Sequence, residues 1–238
     1  MVCLPTYDER ENLEPMVRAL GDVFAAHGLA GRVLVIDDAS PDGTGDIADG
    51  LAAKLPHVDV LHRPAKQGLG PAYVAGFRRA LSSDAELVLV MDCDFSHDPA
   101  DVPRLVAASG EADVALGSRY VAGGAVRNWR AARRVVSRAG CLYAQAVLGL
   151  GVRDSTSGFK CYRRRVLETI ALERISSRGY AFQIETVYRA LRAGFSVREV
   201  PIVFTDRAEG GSKMGPGIVA EAIVRVPALR LAALRNRL

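Results

Sequence analysis

The 238-residue chain lacks any apolar run of the about 18–20 residues that a helix needs to cross a bilayer. The nearest candidate, the tail from Ile218, is interrupted by Glu221, Arg225, Pro227, Arg230 and Arg235. Cysteine is scarce: Cys3, Cys93, Cys141 and Cys161 form no CxxC, and with only four histidines no zinc-ligand spacing arises. The sequence opens without a secretory leader pattern, so the expectation is a cytoplasmic protein with free thiols. Aromatics are only 6% and no RNA-binding motif occurs, which argues against a nucleic-acid partner. The serine-hydrolase elbow GxSxG, the P-loop and the dinucleotide fingerprint GxGxxG are all missing, which makes a dehydrogenase improbable.

What is present is an ordinary globular composition, 49% hydrophobic and 24% charged, which excludes a disordered chain and a collagen. The net charge of +4 conceals an asymmetry. Residues 1–118 carry 9 Lys/Arg against 19 Asp/Glu, a net of −10, and residues 119–238 carry 22 against 8, a net of +14. Two halves of opposite sign suggest two kinds of partner.

Short apolar runs alternate with helical periodicity. Val2–Pro5, Arg32–Asp37, Val58–Leu61, Glu86–Met91 and Asp113–Gly117 read as buried strands. Helical spacing fills the gaps, at Leu13–Phe24, Thr44–Leu55, Gly70–Leu81 and Val102–Ala107. Such alternation predicts an α/β fold with a mainly parallel sheet covered on both faces. The second half is less regular, with helices over Ala131–Leu150 and Gln183–Ala193 and strands over Gly158–Tyr162 and Val197–Phe204. The tail Ile218–Leu238 reads as an apolar, arginine-rich helix bent or broken at Pro227. It suits either packing on the domain or lying on an anionic membrane.

In a parallel α/β sheet, ligands bind beyond the carboxyl ends of the strands. Asp92-Cys93-Asp94 follows a buried strand there, with its two carboxylates two residues apart in extended chain, hence on one side. Such a pair suits a hard divalent cation, Mg²⁺ or Mn²⁺, with phosphates and water completing the shell. The plainer alternative is a solvated loop with capping aspartates. Asp37-Asp38 ends another strand: Asp42-Gly43 makes a turn, Thr44 is placed to cap the next helix, and one aspartate is expected to reach a ligand hydroxyl or base. Arg119 stands out among the basic residues because it follows a strand end, whereas Arg133-Arg134 suit a solvated helix face. Arg207 and Lys213 share a stretch with Gly210, Gly211, Gly215 and Gly217, a composition suited to closing over an anion.

Taken in order, PTYDE, VIDDASPDGT, KQGLGPAY, DCDFSHDP, GSRY, TSGFKCYRR, FQIE and FTDRAEGGSK resemble the family-2 inverting glycosyltransferases, and within them the polyprenol (dolichol) phosphate mannosyltransferases. The resemblance covers nearly the whole chain. It implies a GT-A fold in one domain over residues 1–238, with a nucleotide-sugar and metal half at 1–118. The acceptor half, 119–238, would end in an amphipathic helix. It implies a GDP-mannose donor, a polyprenyl phosphate acceptor, peripheral contact with the cytoplasmic face of a membrane and a possible separate membrane-anchor subunit. Pro5, Tyr7, Glu9, Ile36, Asp37 and Asp38 would line the nucleotide, with Lys66 and Gly68 near the same pocket and Cys93 inside the DxD. Asp92 and Asp94 would hold the metal and the diphosphate, with Ser96 at the third ligand position. Arg119 and Arg133 would receive the acceptor phosphate, and Arg207 and Lys213 would close over the phosphates. Asp8 stands where asparagine is usual, and Cys93 where alanine is usual. The alternatives are a UDP-sugar transferase acting on the same lipid, and a nucleotide-sugar-binding subunit without catalysis.

Overall fold

Runs of Val, Leu and Ile favour pleated, two-sided burial, and they form the strands. In a computed structural model, which describes residues 1–206 and 216–235 apart from the side chains of 216–220, nine strands and eight α-helices are seen among the described residues. The first half runs β1 (Val2–Thr6), α1 (Arg10–Ala26), β2 (Val33–Asp37), α2 (Thr44–Ala52), β3 (Val58–His62), α3 (Leu69–Leu81), β4 (Leu87–Val90), α4 (Val102–Ala108) and β5 (Val114–Ser118). The second runs β6 (Ala125–Arg127), α5 (Ala131–Leu148), β7 (Lys160–Arg163), α6 (Arg164–Thr169), α7 (Ala181–Arg192), β8 (Val197–Pro201), β9 (Val203–Thr205) and α8 (Pro216–Leu234).

Seven strands form one sheet in the order β3-β2-β1-β4-β7-β5-β8, parallel except for β7, which runs antiparallel to both neighbours. The chain winds outward from β1 to β3 and then returns to lay β4 on the other side of β1. That reversal opens a crevice at the carboxyl ends of β1 and β4. Register brings the site together. Pro5 lies opposite Ile36 and Cys3 opposite Val90. Two residues further along each chain, Tyr7 comes level with Asp38 and Asp92 with Pro5. The helices hold this frame by burial: Leu13, Met16, Val17 and Leu20 of α1 are fully buried on one sheet face, and Tyr73 and Phe77 of α3 on the other. Each such side chain contributes about 1.5–3 kcal/mol.

The second half departs from the pattern read in sequence. The expected single strand Val197–Phe204 is two strands broken at Ile202: β8 stays in the main sheet, while β9 pairs with β6 in a two-stranded sheet. Ile202 is buried and packs into the core, which turns the chain out of the main sheet. β6 and α6 are too short to give a periodic signal. α8 runs through Pro227 as one helix, because proline removes one intrahelical bond while Val226, Leu229 and Ala233 pack against α5 and α7. Thr44 does not cap α2: the N-cap is Gly43, Asp42 Oδ1 in the preceding turn accepts from the Thr44 N–H at 3.0 Å, and the Thr44 hydroxyl bridges Asp42 and the backbone N–H of Glu9. No described helix is long and apolar enough to cross a membrane.

Candidate active site

One cavity of about 740 Å³ lies over the carboxyl ends of β1, β2, β4 and β5. Its first end is lined by Pro5, Thr6, Tyr7, Glu9, Asp38, Lys66, Gly68, Asp92 and Cys93. Its middle is lined by His97, Arg119, Trp129, Arg133, Thr156, Gly158, Tyr180 and Gln183. Beyond them lie Val136, Ala139, Gly140 and Tyr143 of α5, with Ala222 and Ile223 of α8.

At the first end, Lys66 Nζ sits 3.4 Å over the Tyr7 ring. Glu9 is buried and accepts from Asn12 Nδ2 at 2.8 Å. The two strand-end aspartates separate in role. The Asp37 carboxylate accepts from the Ser40 hydroxyl at 2.6 Å and shapes the turn, whereas Asp38 faces the cavity and pairs with Arg63. Burial raises the Asp38 carboxyl above its ordinary range despite that guanidinium. Ile36, expected beside the nucleotide, instead belongs to the core: it is fully buried and packs where α3 carries Gly76 rather than a larger residue.

The DxD segment is held by its own neighbours. Ser96, expected as a third metal ligand, donates from N and Oγ to Asp94 Oδ1 at 3.1 and 2.5 Å, so its hydroxyl supports the carboxylate. His97 Nδ1 accepts from the Asp92 N–H at 3.2 Å. Burial pushes the His97 imidazole down to about 4, so it is neutral near neutral pH. Among the described residues no group of three His, Cys, Asp or Glu forms a metal cage. Two carboxylates with hydroxyl support are an oxygen-only donor set. It fits a hard divalent ion that takes its remaining ligands from phosphate and water.

Arg119 and Arg133 are both in the cavity wall, but each already holds a carboxylate. Arg119 donates from Nε and Nη2 to Asp154 at 2.7 and 2.6 Å, and from Nη2 to Thr156 at 2.8 Å. Burial opposes its charge, the Asp154 carboxylate outweighs that, and the guanidinium stays above its ordinary range. Nη1 carries its remaining donors. Arg133 donates from Nη1 to both Asp206 oxygens at 2.7 and 2.8 Å and stacks 4.4 Å over Trp129. Arg133 Nε and Trp129 Nε1 are buried with no partner among the described residues. Arg207 and Lys213 lie outside the described residues.

Other residues of the site were not singled out from the sequence. Asp154, fully buried behind Arg119, carries no motif beyond the neighbouring TSGF. Tyr180, whose hydroxyl burial pushes up to about 12, sits on a loop fixed by Glu221 of α8, which accepts from the Arg178 N–H at 2.8 Å and the Gly179 N–H at 3.1 Å. Only the sequence distance of 43 residues hid that contact.

A match to the glycosyl transferase family 2 model covers residues 1–171. The chain belongs to that family. It is 46% identical over 242 residues to the undecaprenyl-phosphate mannosyltransferase of Micrococcus luteus, covering 100% of this chain and 98% of that one. It is 48% identical over 228 residues to the polyprenol monophosphomannose synthase of Mycolicibacterium smegmatis, covering 95% and 84%. Among solved structures, the mannosyl-3-phosphoglycerate synthase of Rubrobacter xylanophilus superposes with a TM-score of 0.69 at 18% identity, covering 100% of this chain and 75% of that one. A glucosyl-3-phosphoglycerate synthase of Mycobacterium tuberculosis, in complex with Mn²⁺, UDP and glucosyl-3-phosphoglycerate, superposes with a TM-score of 0.64 at 19% identity, covering 99% and 78%. At that identity these two show a shared fold alone.

Proposed function

We propose that this enzyme transfers mannose from GDP-mannose to a polyprenyl monophosphate, with inversion at the anomeric carbon. The observation that carries this reading is the single cavity, with strand-end carboxylates at one end, arginines in the middle and apolar helix faces beyond. The names of the two curated relatives supply the mannosyl group and the lipid phosphate. The carboxylate end takes the nucleotide diphosphate. Asp92 and Asp94 would hold a divalent ion, Mg²⁺ or Mn²⁺, which when bound offsets charge on the departing diphosphate.

Arg119 Nη1 and Arg133 Nε would be the donors offered to the acceptor phosphate. An oxygen of that phosphate attacks the sugar C1; the bond from C1 to the diphosphate oxygen breaks, and GDP leaves from the opposite face with the bonding electrons. The nucleophile is already an anion, so the residues act chiefly by alignment and charge stabilisation. Neutral His97 accepts from the Asp92 N–H and packs tilted against Phe159 and edge-on against Phe204.

The prenyl chain leaves along α5 and α8. Among the described residues, seven of the eight exposed large apolar side chains lie on these two helices: Val135, Val136, Leu142, Ile223, Val224, Leu231 and Leu234. Exposed Arg130, Arg134, Arg230 and Arg235 surround them. An apolar face fringed by arginines suits peripheral binding to an anionic leaflet.

The test incubates the protein with radiolabelled GDP-mannose, polyprenyl phosphate and Mg²⁺. Lipid-soluble label is expected, and its absence overturns the reading. NMR of the product reports the anomer, and calorimetry of GDP against UDP reports the base; tighter UDP binding would reassign the donor.

A further inference from the structure

Gln183, in the FQIE stretch at the start of α7, is 1% exposed and forms part of the cavity floor. Its main-chain oxygen and its side-chain Oε1 both accept from Lys160 Nζ, at 2.8 and 2.7 Å. Lys160 is fully buried on β7, and burial pushes its ammonium well below its ordinary range. The Lys160 ammonium has an N–H for each of the two oxygens and no acceptor, so turning the amide over would set N–H against N–H; the charged partner fixes its orientation. Gln183 Nε2 therefore points away from Lys160, buried, with no partner among the described residues. Buried donors are nearly always paired, so an orphan in a cavity wall implies a ligand acceptor.

The position of that donor indicates which acceptor. A Cβ built on Gly158 would stand 3.6 Å from Gln183 Nε2 and 3.7 Å from Asp92 Oδ2, so the amide and the first DxD carboxylate converge on one glycine. On the other side, Lys160 lies within electrostatic reach of Asp154 and Arg119. The amide thus sits between the carboxylate end and the arginine that faces the acceptor. In a single displacement, the hexose must span this gap, because C1 bonds in turn to the leaving and the entering oxygen.

We propose that Gln183 Nε2 reads one hydroxyl of the donor hexose, with Lys160 as the positioning residue that holds the amide turned toward it. The proposal rests on the cavity being the sugar-transfer site. A site built to bond a hydroxyl rejects the analogue that lacks it. The experiment measures kcat/KM for GDP-mannose and its 2-, 3-, 4- and 6-deoxy forms with polyprenyl phosphate. In the wild type one deoxy donor is expected to lose about 10- to 100-fold. Gln183→Leu should erase that discrimination while GDP affinity by calorimetry stays within about twofold, and Lys160→Met should weaken the discrimination with the fold intact by circular dichroism.

Gln183→Glu keeps the volume and the Lys160 contact but has no N–H, so it decides the matter if the leucine variant misfolds. Wild-type indifference to all four deoxy donors overturns the proposal, as does a Gln183 variant that weakens GDP and every donor alike. A wild type inactive with GDP-mannose overturns only the donor assignment. The same ratios are then read with UDP-glucose and its deoxy forms, where loss or retention of hydroxyl discrimination still decides the role of Gln183.

Discussion

At the carboxylate end of the cavity, Tyr7, Asp38 and Asp92 follow the ends of three adjacent strands, and register brings them to one edge of the sheet, Tyr7 level with Asp38 and Asp92 with Pro5. At the arginine end, Arg119 meets Asp154 across 35 residues and Arg133 meets Asp206 across 73. The first end mixes strand-end carboxylates with Arg63 and Lys66, whereas at the second each arginine already holds a carboxylate, so an arriving anion must share or displace it. Removing Asp154 at the second end strands a buried ion.

The largest expected effect tests the first end. Asp92→Ala and Asp94→Ala should each reduce mannosyl transfer about a thousandfold or more, against the several kcal/mol that direct charge stabilisation supplies. The Asp92 side chain is partly exposed, so its variant should melt within about 2 °C of wild type. Near-normal turnover of Asp94→Ala at saturating Mn²⁺ or Mg²⁺ would remove the metal assignment.

The next contrast is Asp154→Ala, which leaves buried Arg119 without its partner and should cost about 3–5 kcal/mol. For a chain of this size that is a melting shift of about 10 °C. If Asp154→Ala melts like wild type, the two ends are not built differently after all.

A smaller effect is expected on the helix face. Val224→Glu with Leu231→Glu should abolish co-sedimentation with anionic vesicles and raise KM for long-chain acceptor about tenfold, as the loss of about 1.4 kcal/mol of partial aliphatic burial would. A short, water-soluble acceptor should be used as before; equal damage to both acceptors would place the helices in structure alone.

Asp206→Asn frees part of Arg133, and a half-exposed pair of this kind is worth up to about 1 kcal/mol, so acceptor KM should fall by about fivefold at most. The smallest effect comes from the opposite, amino end of β5. Burial pushes the Asp113 carboxyl up, but bonds from Ser196 and from Arg165 outweigh it and hold it below the ordinary range. Its stabilisation is therefore full above the ordinary carboxylate pKa and is lost as pH falls through the lowered one. Asp113→Asn should cost about 1 kcal/mol at pH 7 in denaturant titration, nothing in strong acid, and no activity.

The carboxylate end was legible because strand pattern and strand-end chemistry are both local. Arg32–Asp37 announces a buried strand, observed as Val33–Asp37, and the residues after it announce a ligand edge. Even there, which aspartate turns inward depends on Ser40 and Arg63, and the fate of Ile36 depends on a glycine in α3. At the other end, Arg119 was legible as a strand-end cation, but its partner was not, since nothing near Asp154 marks it as the answer to a charge 35 residues earlier. Glu221 read as a break in an apolar tail, yet it pins the loop that carries Tyr180. Ile202 read as the interior of a strand, and its burial is what splits that strand.

The joining of polar and apolar walls in one chamber also sets what concentration means for this enzyme. On the proposed reading, the nucleotide sugar diffuses in three dimensions and is counted per litre, whereas the lipid, met by a protein resting on α5 and α8, would be counted per area of leaflet. Turnover would then follow the mole fraction of acceptor in the surface, and diluting the bilayer with inert lipid would slow the reaction even when the total amount of acceptor in the tube is unchanged.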